Sequence, residues 1–537
     1  MKKQWYLWSI LAILFLAVVI RFYKIAEVPH GMTWDEAAIG YNGYAIFNTR
    51  RDEWLHRLPV SFQSFGDYKA PLAIYLNGVF TFIFGLNLFA VRLPFALFSI
   101  LAVLGIILMV REIFEGHKYQ KYYSLFAGFL LTLSPWHIHY SRAGFESGMA
   151  LSLLIWGIYF LIKSTKQNFN NFLTLAASFG LFVASIYTYH SSKVTIPLLG
   201  IVFLILYWKQ ILVSWKKISV ALIVSLGLLF PLIKDSLFGS GLTRAGVTIF
   251  SSDLSFVQKI AYVIKSTLIH LSPDFLLTGT TTTLRHGTGY LGVLFITTFF
   301  LVTAGVIALL KERSKSKYFK YQLLFVSLVI FGLLPASIAL EVPHSNRALL
   351  ALPGFLLLAV FGFNHLILLL EKTKLNTTVS GSFDEQNIIA KSATGTVIAI
   401  HILFAVTFLS HYFSVFSKES TDSFNDGYLE AFSLAAKYEK GLDGYPEVEK
   451  IIFTSRYGQP YIYALFVRKT NPIWYQGGSL VKYEFYENVN VGDLLRNNAL
   501  IVGSGLDDLP TEQADHIIYG TDGSIRFQIF KTGVTTQ

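Results

Sequence analysis

Two adjacent carboxylates, Asp35 and Glu36, and one ammonium group, Lys69, share a polar stretch, Met32–Leu72, that follows a single hydrophobic segment. A carboxylate can take the proton of an incoming hydroxyl, and a cation can neutralise a departing phosphate. With a good leaving group, a single displacement needs a base and charge stabilisation but no obligatory general acid. The plain alternative is structural. Asp35 stands where a short helix over residues 37–47 would begin, and carboxylates are stable at helix N-termini. Chemistry is favoured by the company expected at the same face: Lys69, Arg92, Arg142, Glu146, His190, Lys193, His344 and Arg347. Several of these come from two motifs, LSPWHIHYSRAGFE (Leu133–Glu146) and EVPHSNR (Glu341–Arg347). Taken singly, an Arg at such a place more often snorkels to lipid headgroups than binds a substrate. His137 and His139 lack a metal-ligand spacing such as HxxxH with a carboxylate partner, so no metal site is assigned. A divalent cation stays open only if Asp35, Glu36 and Glu146 converge.

The elements that must position these groups are membrane helices. The chain has 537 residues, 53% hydrophobic and only 14% charged, with a mean hydropathy of +0.51. Soluble proteins carry nearer a quarter charged residues. Apolar runs recur at 7–20, 71–91, 93–110, 122–141, 147–162, 172–189, 194–208, 218–233, 287–310, 321–340, 348–370 and 392–413. The first follows Lys2 and Lys3 as in a signal peptide, but it has no small-residue cleavage site and is read as an anchor. The net charge of +11 resides mostly in short connections between apolar runs. That is a positive-inside pattern, and it argues against a nucleic-acid partner. The absence of Cys excludes disulfides and thiol chemistry.

If every run spanned, the basic connections 111–121, 163–171, 209–217, 311–320 and 371–391 would lie outside, inverting the charge bias. Reading 71–91 as a helix in the outer interface restores it, and that run holds Pro71, Asn77, Gly78, Gly85 and Asn87. The expectation is about eleven spans, with the amino terminus inside and the carboxyl terminus outside. Residues 26–92 then form a first outer loop with juxtamembrane helices at 37–47 and 71–91. Residues 142–146, 234–286 and 341–347 are also outside. The stretch 373–390 reads as a cytoplasmic linker. The transmembrane domain is thus 1–413, followed at 414–537 by a small extracytoplasmic α/β domain. Within it, helices are expected at Phe424–Lys440 and Pro460–Arg468, and strands at Lys450–Thr454, Ala499–Gly503 and Ile525–Lys531.

On the motifs TWDEAAIGYNGYAIFNT, DYKAPLAIYL, FGLNLFAVRLP and LSPWHIHYSR, the chain resembles a family. This is the protein O-mannosyltransferase and aminoarabinose transferase superfamily, membrane glycosyltransferases of the C-type fold, glycosyltransferase family 39-like. Order and spacing match over Thr33–Arg142, and YTYHSSKVTIPLL and PHSNRALLALP extend the resemblance to about residue 355. The resemblance implies an inverting transfer of a sugar, mannose or a related one, from a polyprenyl-phosphate-linked donor. The acceptor would be a protein, lipid or glycan at the outer face of the cell membrane. It implies Asp35 as catalytic base with Glu36 beside it, and Lys69 at the donor phosphate. Arg92 would support the first outer loop, and Glu146 would take a second acidic position that is often Asp. A lysine found in some members after the fifth span is replaced by Tyr189–His190, leaving Lys193 as a substitute. Arg92 and Arg347 are further expected at the donor phosphate, with Arg142, Glu146, His190, Lys193 and His344 as donor or acceptor contacts.

Two rival classes stay in view. A lipid or sugar transporter or flippase often shows internal repeats and broken helices near the midplane; here no repeat is found and the ionisable groups gather at one face. A non-catalytic scaffold would leave the gathered acids and bases unaccounted for. Separation of Asp35 from Lys69 would favour it.

Overall fold

The computed structural model describes residues 4–239, 246, 248–312, 316–372 and 383–533. Among them, eight helices are long and apolar enough to cross a membrane: Gln4–Phe22, Leu88–Ile113, Glu146–Lys166, Ser192–Val213, Trp215–Phe238, Phe319–Ser337, Ser345–Leu370 and Thr394–Ser414. Three shorter apolar helices, Pro71–Phe84, Phe172–Thr188 and Ile296–Lys311, accompany them. The chain is a multi-pass membrane protein. The run at 122–141 is interrupted after Leu133, because Pro135 has no amide hydrogen to continue the ladder; a second helix starts there and ends at Ser141. The run at 71–91 also divides, into Pro71–Phe84 and the start of Leu88–Ile113. Its 14-residue piece is about 21 Å long, short of the roughly 30 Å hydrocarbon core. Part of the proposed linker is helical, since the last membrane helix begins at Phe383. Residues 373–382 of that linker lie outside the described residues.

The chain divides into two compact units. One comprises Met1–Tyr23, Phe95–Ser141 and Phe145–His411; among the described residues it is built of helices, with one antiparallel bridge between Thr248 and Ala339. Its charged interior group is Arg21, whose guanidinium lies 2.8 Å from His137 Nδ1 and donates to the Thr132 carbonyl at 3.2 Å. An ionised group at membrane depth requires such partners. The helices Ile296–Glu312 and Leu352–Lys372 approach closely at Gly305 and Gly362, where either Cβ would overlap the facing backbone, a packing that small residues permit.

The other unit comprises Lys24–Pro94, Arg142–Gly144 and Tyr412–Gln537. Its five-stranded sheet runs β4(Tyr483–Tyr486), β3(Lys450–Thr454), β5(Ala499–Ser504), β7(Ile525–Lys531), β6(His516–Tyr519). Strand β3 is parallel to β4 and β5, while β7 is antiparallel to β5 and β6. Helices Tyr428–Lys440 and Pro460–Arg468 pack on it through stacked rings: Phe432 on Phe453 at 4.0 Å and Tyr428 on Tyr463 at 4.3 Å between centroids. The helix expected from Phe424 starts at Tyr428, after Gly427 in a left-handed conformation.

The first loop contributes to this same core. A helix Trp34–Thr49 buries Ala37, Ala38, Tyr41 and Ala45 in one cluster with Tyr428, Phe432, Ile462, Tyr463 and Phe466. It crosses Pro71–Phe84 backbone to backbone at Gly43 and Gly78. A Cβ on Gly43 would lie 2.7 Å from the Gly78 nitrogen, and one on Gly78 would lie 2.6 Å from the Gly43 oxygen. A hairpin of β1(Phe62–Ser64) and β2(Asp67–Lys69) carries Lys69 back toward the start of the helix Trp34–Thr49.

Candidate active site

The helix expected over 37–47 begins earlier, at Trp34, because Thr33 and Glu36 form a capping box. The Glu36 amide donates to Thr33 Oγ1 at 3.2 Å, and the Thr33 amide to Glu36 Oε2 at 3.0 Å. The signal was present in the sequence as Thr-x-x-Glu. This box sorts the two acids. Glu36 turns inward and is buried, whereas the Asp35 side chain, next along the first turn, keeps 35% of its surface exposed. Lys69 Nζ donates to Asp35 Oδ1 at 2.5 Å, from a side chain only 11% exposed. The structure therefore brings together a half-exposed carboxylate and a nearly buried ammonium.

Glu36 and Arg92 do something else. Arg92 Nε donates to Glu36 Oε1 at 2.7 Å, and its NH2 group donates to Glu36 Oε2 at 3.3 Å and to the Gly31 carbonyl at 2.8 Å. Its NH1 group donates to the carbonyls of Ile25 and Pro29 at 3.0 and 2.8 Å. A guanidinium has five N–H donors, and all five are occupied. All five of its donors are thus spent on the first loop, the support that the resemblance implied, rather than held out toward a donor phosphate. Glu36 also accepts from the Gly144 amide at 3.0 Å, so both its oxygens are engaged in holding chain segments together. Its carboxylate is committed to structure.

Residues before Asp35 are gripped by the carboxy-terminal part of the same unit. Tyr463 Oη donates to the Met32 carbonyl at 2.7 Å. His30 Nδ1 pairs with Asp426 Oδ1 at 2.7 Å. That bond raises the His30 pKa against the opposing effect of burial. Burial pushes Asp426 up, but the bonds from His30 and from the Thr521 and Gly427 amides outweigh it and leave the carboxyl below its usual range. Trp34 lies on Gly458, where a Cβ would come within 2.6 Å of its ring. Sequence reasoning passed over Tyr463, Asp426 and Gly458, because nothing in a linear sequence pairs residue 32 with residue 463.

Arg142 is fully buried and donates to the carbonyls of Lys24 and Val28 at 3.3 and 3.0 Å. Its guanidinium sits 4.7 Å from the Phe413 ring centroid, and burial lowers its pKa to about 10. This arrangement braces the loop. Glu146, His190, Lys193, His344 and Arg347 belong to the helical unit. Glu146 opens the helix Glu146–Lys166. Lys193 Nζ donates to Ser236 Oγ at 3.3 Å. His190 and Arg347 are half-buried. His344 caps the short helix Ser345–Ala348.

A second buried acid, Glu53, was not anticipated. Its Oε1 accepts from Asn42 Nδ2 at 3.2 Å, and its carbonyl accepts from Gln476 Nε2 at 2.7 Å. Burial pushes its pKa up to about 8, against the smaller opposing effect of the Asn42 bond. A carboxyl raised above its unfolded value holds an extra proton in the native state, so stability falls as pH rises from the unfolded value, near 4.5, to about 8. Glu53→Gln is accordingly expected to match the parent at pH 5 and to be the more stable protein at pH 8.5. Paired thermal melts across that range check it; parallel curves would refute the assignment.

Comparison with known proteins places this architecture. The family described as dolichyl-phosphate-mannose-protein mannosyltransferase matches residues 68–233. No curated protein matches. Among solved structures, ArnT from Cupriavidus metallidurans in the apo state is similar at 12% identity over 98% of both chains, with a TM-score of 0.54. ArnT bound to undecaprenyl phosphate is similar at 13% identity, covering 98% of this chain and 97% of that one, with a TM-score of 0.53. The oligosaccharyltransferase AglB from Archaeoglobus fulgidus, in complex with an inhibitory peptide and a dolichol-phosphate, is similar at 12% identity. There 98% of this chain and 74% of that one are covered, with a TM-score of 0.51. The fold is the C-type glycosyltransferase fold with a small carboxy-terminal sheet domain. The family match over residues 68–233 and the likeness in fold to ArnT and AglB are what the chain shares with these transferases.

Proposed function

We propose that this protein transfers a sugar from a polyprenyl-phosphate-linked donor to an acceptor at the outer face of the membrane. The observation that carries the reading is the 2.5 Å contact between Asp35 Oδ1 and Lys69 Nζ, with Asp35 facing water. In the reaction, the acceptor's nucleophilic atom forms a bond to the anomeric carbon as the bond from that carbon to the phosphate oxygen breaks. The phosphate leaves with the electron pair, and Lys69 neutralises its charge. Asp35 takes the acceptor's proton. A one-step displacement inverts the anomeric centre. The lipid phosphates in the ArnT and AglB structures support a polyprenyl phosphate as the carrier, and the matched family's description supports mannose as the sugar.

The test is turnover of labelled polyprenyl-phosphate-linked sugars by the purified protein in lipid vesicles, with mannose and aminoarabinose donors in parallel. Lys69→Met is expected to lower the rate about 10–100-fold, through loss of one charge-assisted contact to the leaving group. Asp35 loses that ion pair in the variant, so the rate profile is expected to shift with pH. Failure of every donor with the parent protein, or an unchanged rate in Lys69→Met, would remove the proposal.

A further inference from the structure

In the helical unit, His286, Glu341 and His344 each turn one ligand atom toward a common point, and these atoms lie within 4.8 Å of one another. The two imidazole rings are 4.3 Å apart between centroids, inclined by 33°. His344 Nε2 is 3.9 Å from Glu341 Oε2. We propose that these three side chains form a divalent transition-metal site, with Zn²⁺ the ion of choice. The site is independent of the sugar-transfer reading, and each can fail without the other.

The donor set supports this choice. Two imidazole nitrogens and one carboxylate oxygen suit zinc, whereas calcium and magnesium take oxygen ligands. Tetrahedral bonds of about 2.0–2.1 Å set ligand atoms roughly 3.3 Å apart. The observed separations therefore close with side-chain movements of about 1 Å. Outer partners orient two of the ligands, as metal sites require. Thr282 Oγ1 donates to Glu341 Oε1 at 2.5 Å, which leaves Oε2 for the ion. The Tyr140 hydroxyl lies 3.5 Å from His286 Nδ1, which leaves Nε2.

His344 carries a cost. Its Nδ1 accepts from the Arg347 amide at 3.4 Å, so its ring proton sits on Nε2 when no ion is bound. Coordination through Nε2 moves that proton to Nδ1 and gives up a cap bond that is already long. The competing reading is a plain His344–Glu341 contact with the His286 ring packed on His344, and it predicts no stoichiometric zinc. Glu341 is 46% exposed, and a cavity of about 30 Å³ lined in part by His139, Tyr140, His286 and Ser345 adjoins the site. Both provide an approach for the ion and room for water as a fourth ligand.

The ligands join two segments distant in sequence: the loop carrying His286 and the entry to the span Ser345–Leu370. A chain without Cys cannot tie such segments by a disulfide, and a bound ion would do so. Because residue 286 is remote from the Glu-x-x-His of 341–344, no contiguous metal motif shows in the sequence.

The test uses full-length, untagged protein in detergent, stripped with a chelator and titrated with ZnCl₂. Elemental analysis is expected to find about one zinc per chain, and melting temperature is expected to rise with added zinc. X-ray absorption is expected to show imidazole nitrogens around the ion. His286→Ala and Glu341→Gln are expected to weaken binding at least about 100-fold, and Thr282→Val about 10-fold, in line with losses at outer-shell positions. His56→Ala, an exposed histidine elsewhere, is expected to bind as the parent does. Glu341 is exposed, so its substitution leaves the fold intact should His286→Ala misfold. Absence of stoichiometric zinc in the parent, or undiminished binding in Glu341→Gln, would overturn the site.

Discussion

Asp35→Asn is expected to abolish most turnover, by about 10²–10⁴-fold, while leaving the protein folded and able to bind its lipid carrier. The magnitude is that of a positioned general base. The substitution keeps the size and helix-start position of the side chain but cannot accept a proton from the acceptor. The cap does not depend on it, because Thr33 and Glu36 form the capping box. Stability should therefore move little, since the pair it breaks is partly exposed and such pairs are worth little. The measurements are single-turnover rates with labelled donor, carrier binding and a thermal melt. Retained turnover would take the base role from Asp35, and a collapsed melt would show that its role is structural.

Arg92→Met should behave in the opposite way, with a large loss of stability from a residue that does no chemistry. It removes all five donors, leaves Glu36 as an uncompensated buried carboxylate and strips the carbonyls of Ile25, Pro29 and Gly31 of their partner. Breaking a buried pair from one side costs about 3–5 kcal/mol. For a unit of this size that is a fall in melting temperature on the order of 10 °C. The double variant Glu36→Leu with Arg92→Met should lose less than the sum of the single losses, because the two residues are coupled. A shift below about 1 kcal/mol for Arg92→Met would show that the network is not what secures the loop.

Much of the secondary structure was legible because it has strong local causes. Lys450–Thr454, Pro460–Arg468 and Ile525–Lys531 fall where alternation, proline and flanking turns put them. Strands Tyr483–Tyr486 and His516–Tyr519 were missed; they are short strands at the two edges of the sheet, and only pairing with β3 and β7 defines them. In the site, the types and rough location of Asp35 and Lys69 could be read, since acid and base types in one polar loop are a linear signal. The division of labour between Asp35 and Glu36 turned on a capping box that was visible but not weighed. Of the two places expected for Arg92, the resemblance implied the loop support, but the residues alone could not choose between that and the phosphate. A buried, five-bonded arginine and one that binds phosphate look the same in a sequence; only the carbonyls converging on it tell them apart.

The unit that contains Asp35 is assembled from both ends of the polypeptide, Lys24–Pro94 and Tyr412–Gln537. During synthesis, the early segment emerges long before the strands and helices that complete its core. At roughly 5–20 residues per second, the wait is tens of seconds. Throughout it, Ala37, Ala38 and Tyr41 lack the later half of their core, Tyr428, Phe432, Ile462 and Tyr463. Premature termination anywhere in the last hundred or so residues would thus leave the core around the Trp34–Thr49 helix incomplete, far upstream of the lesion.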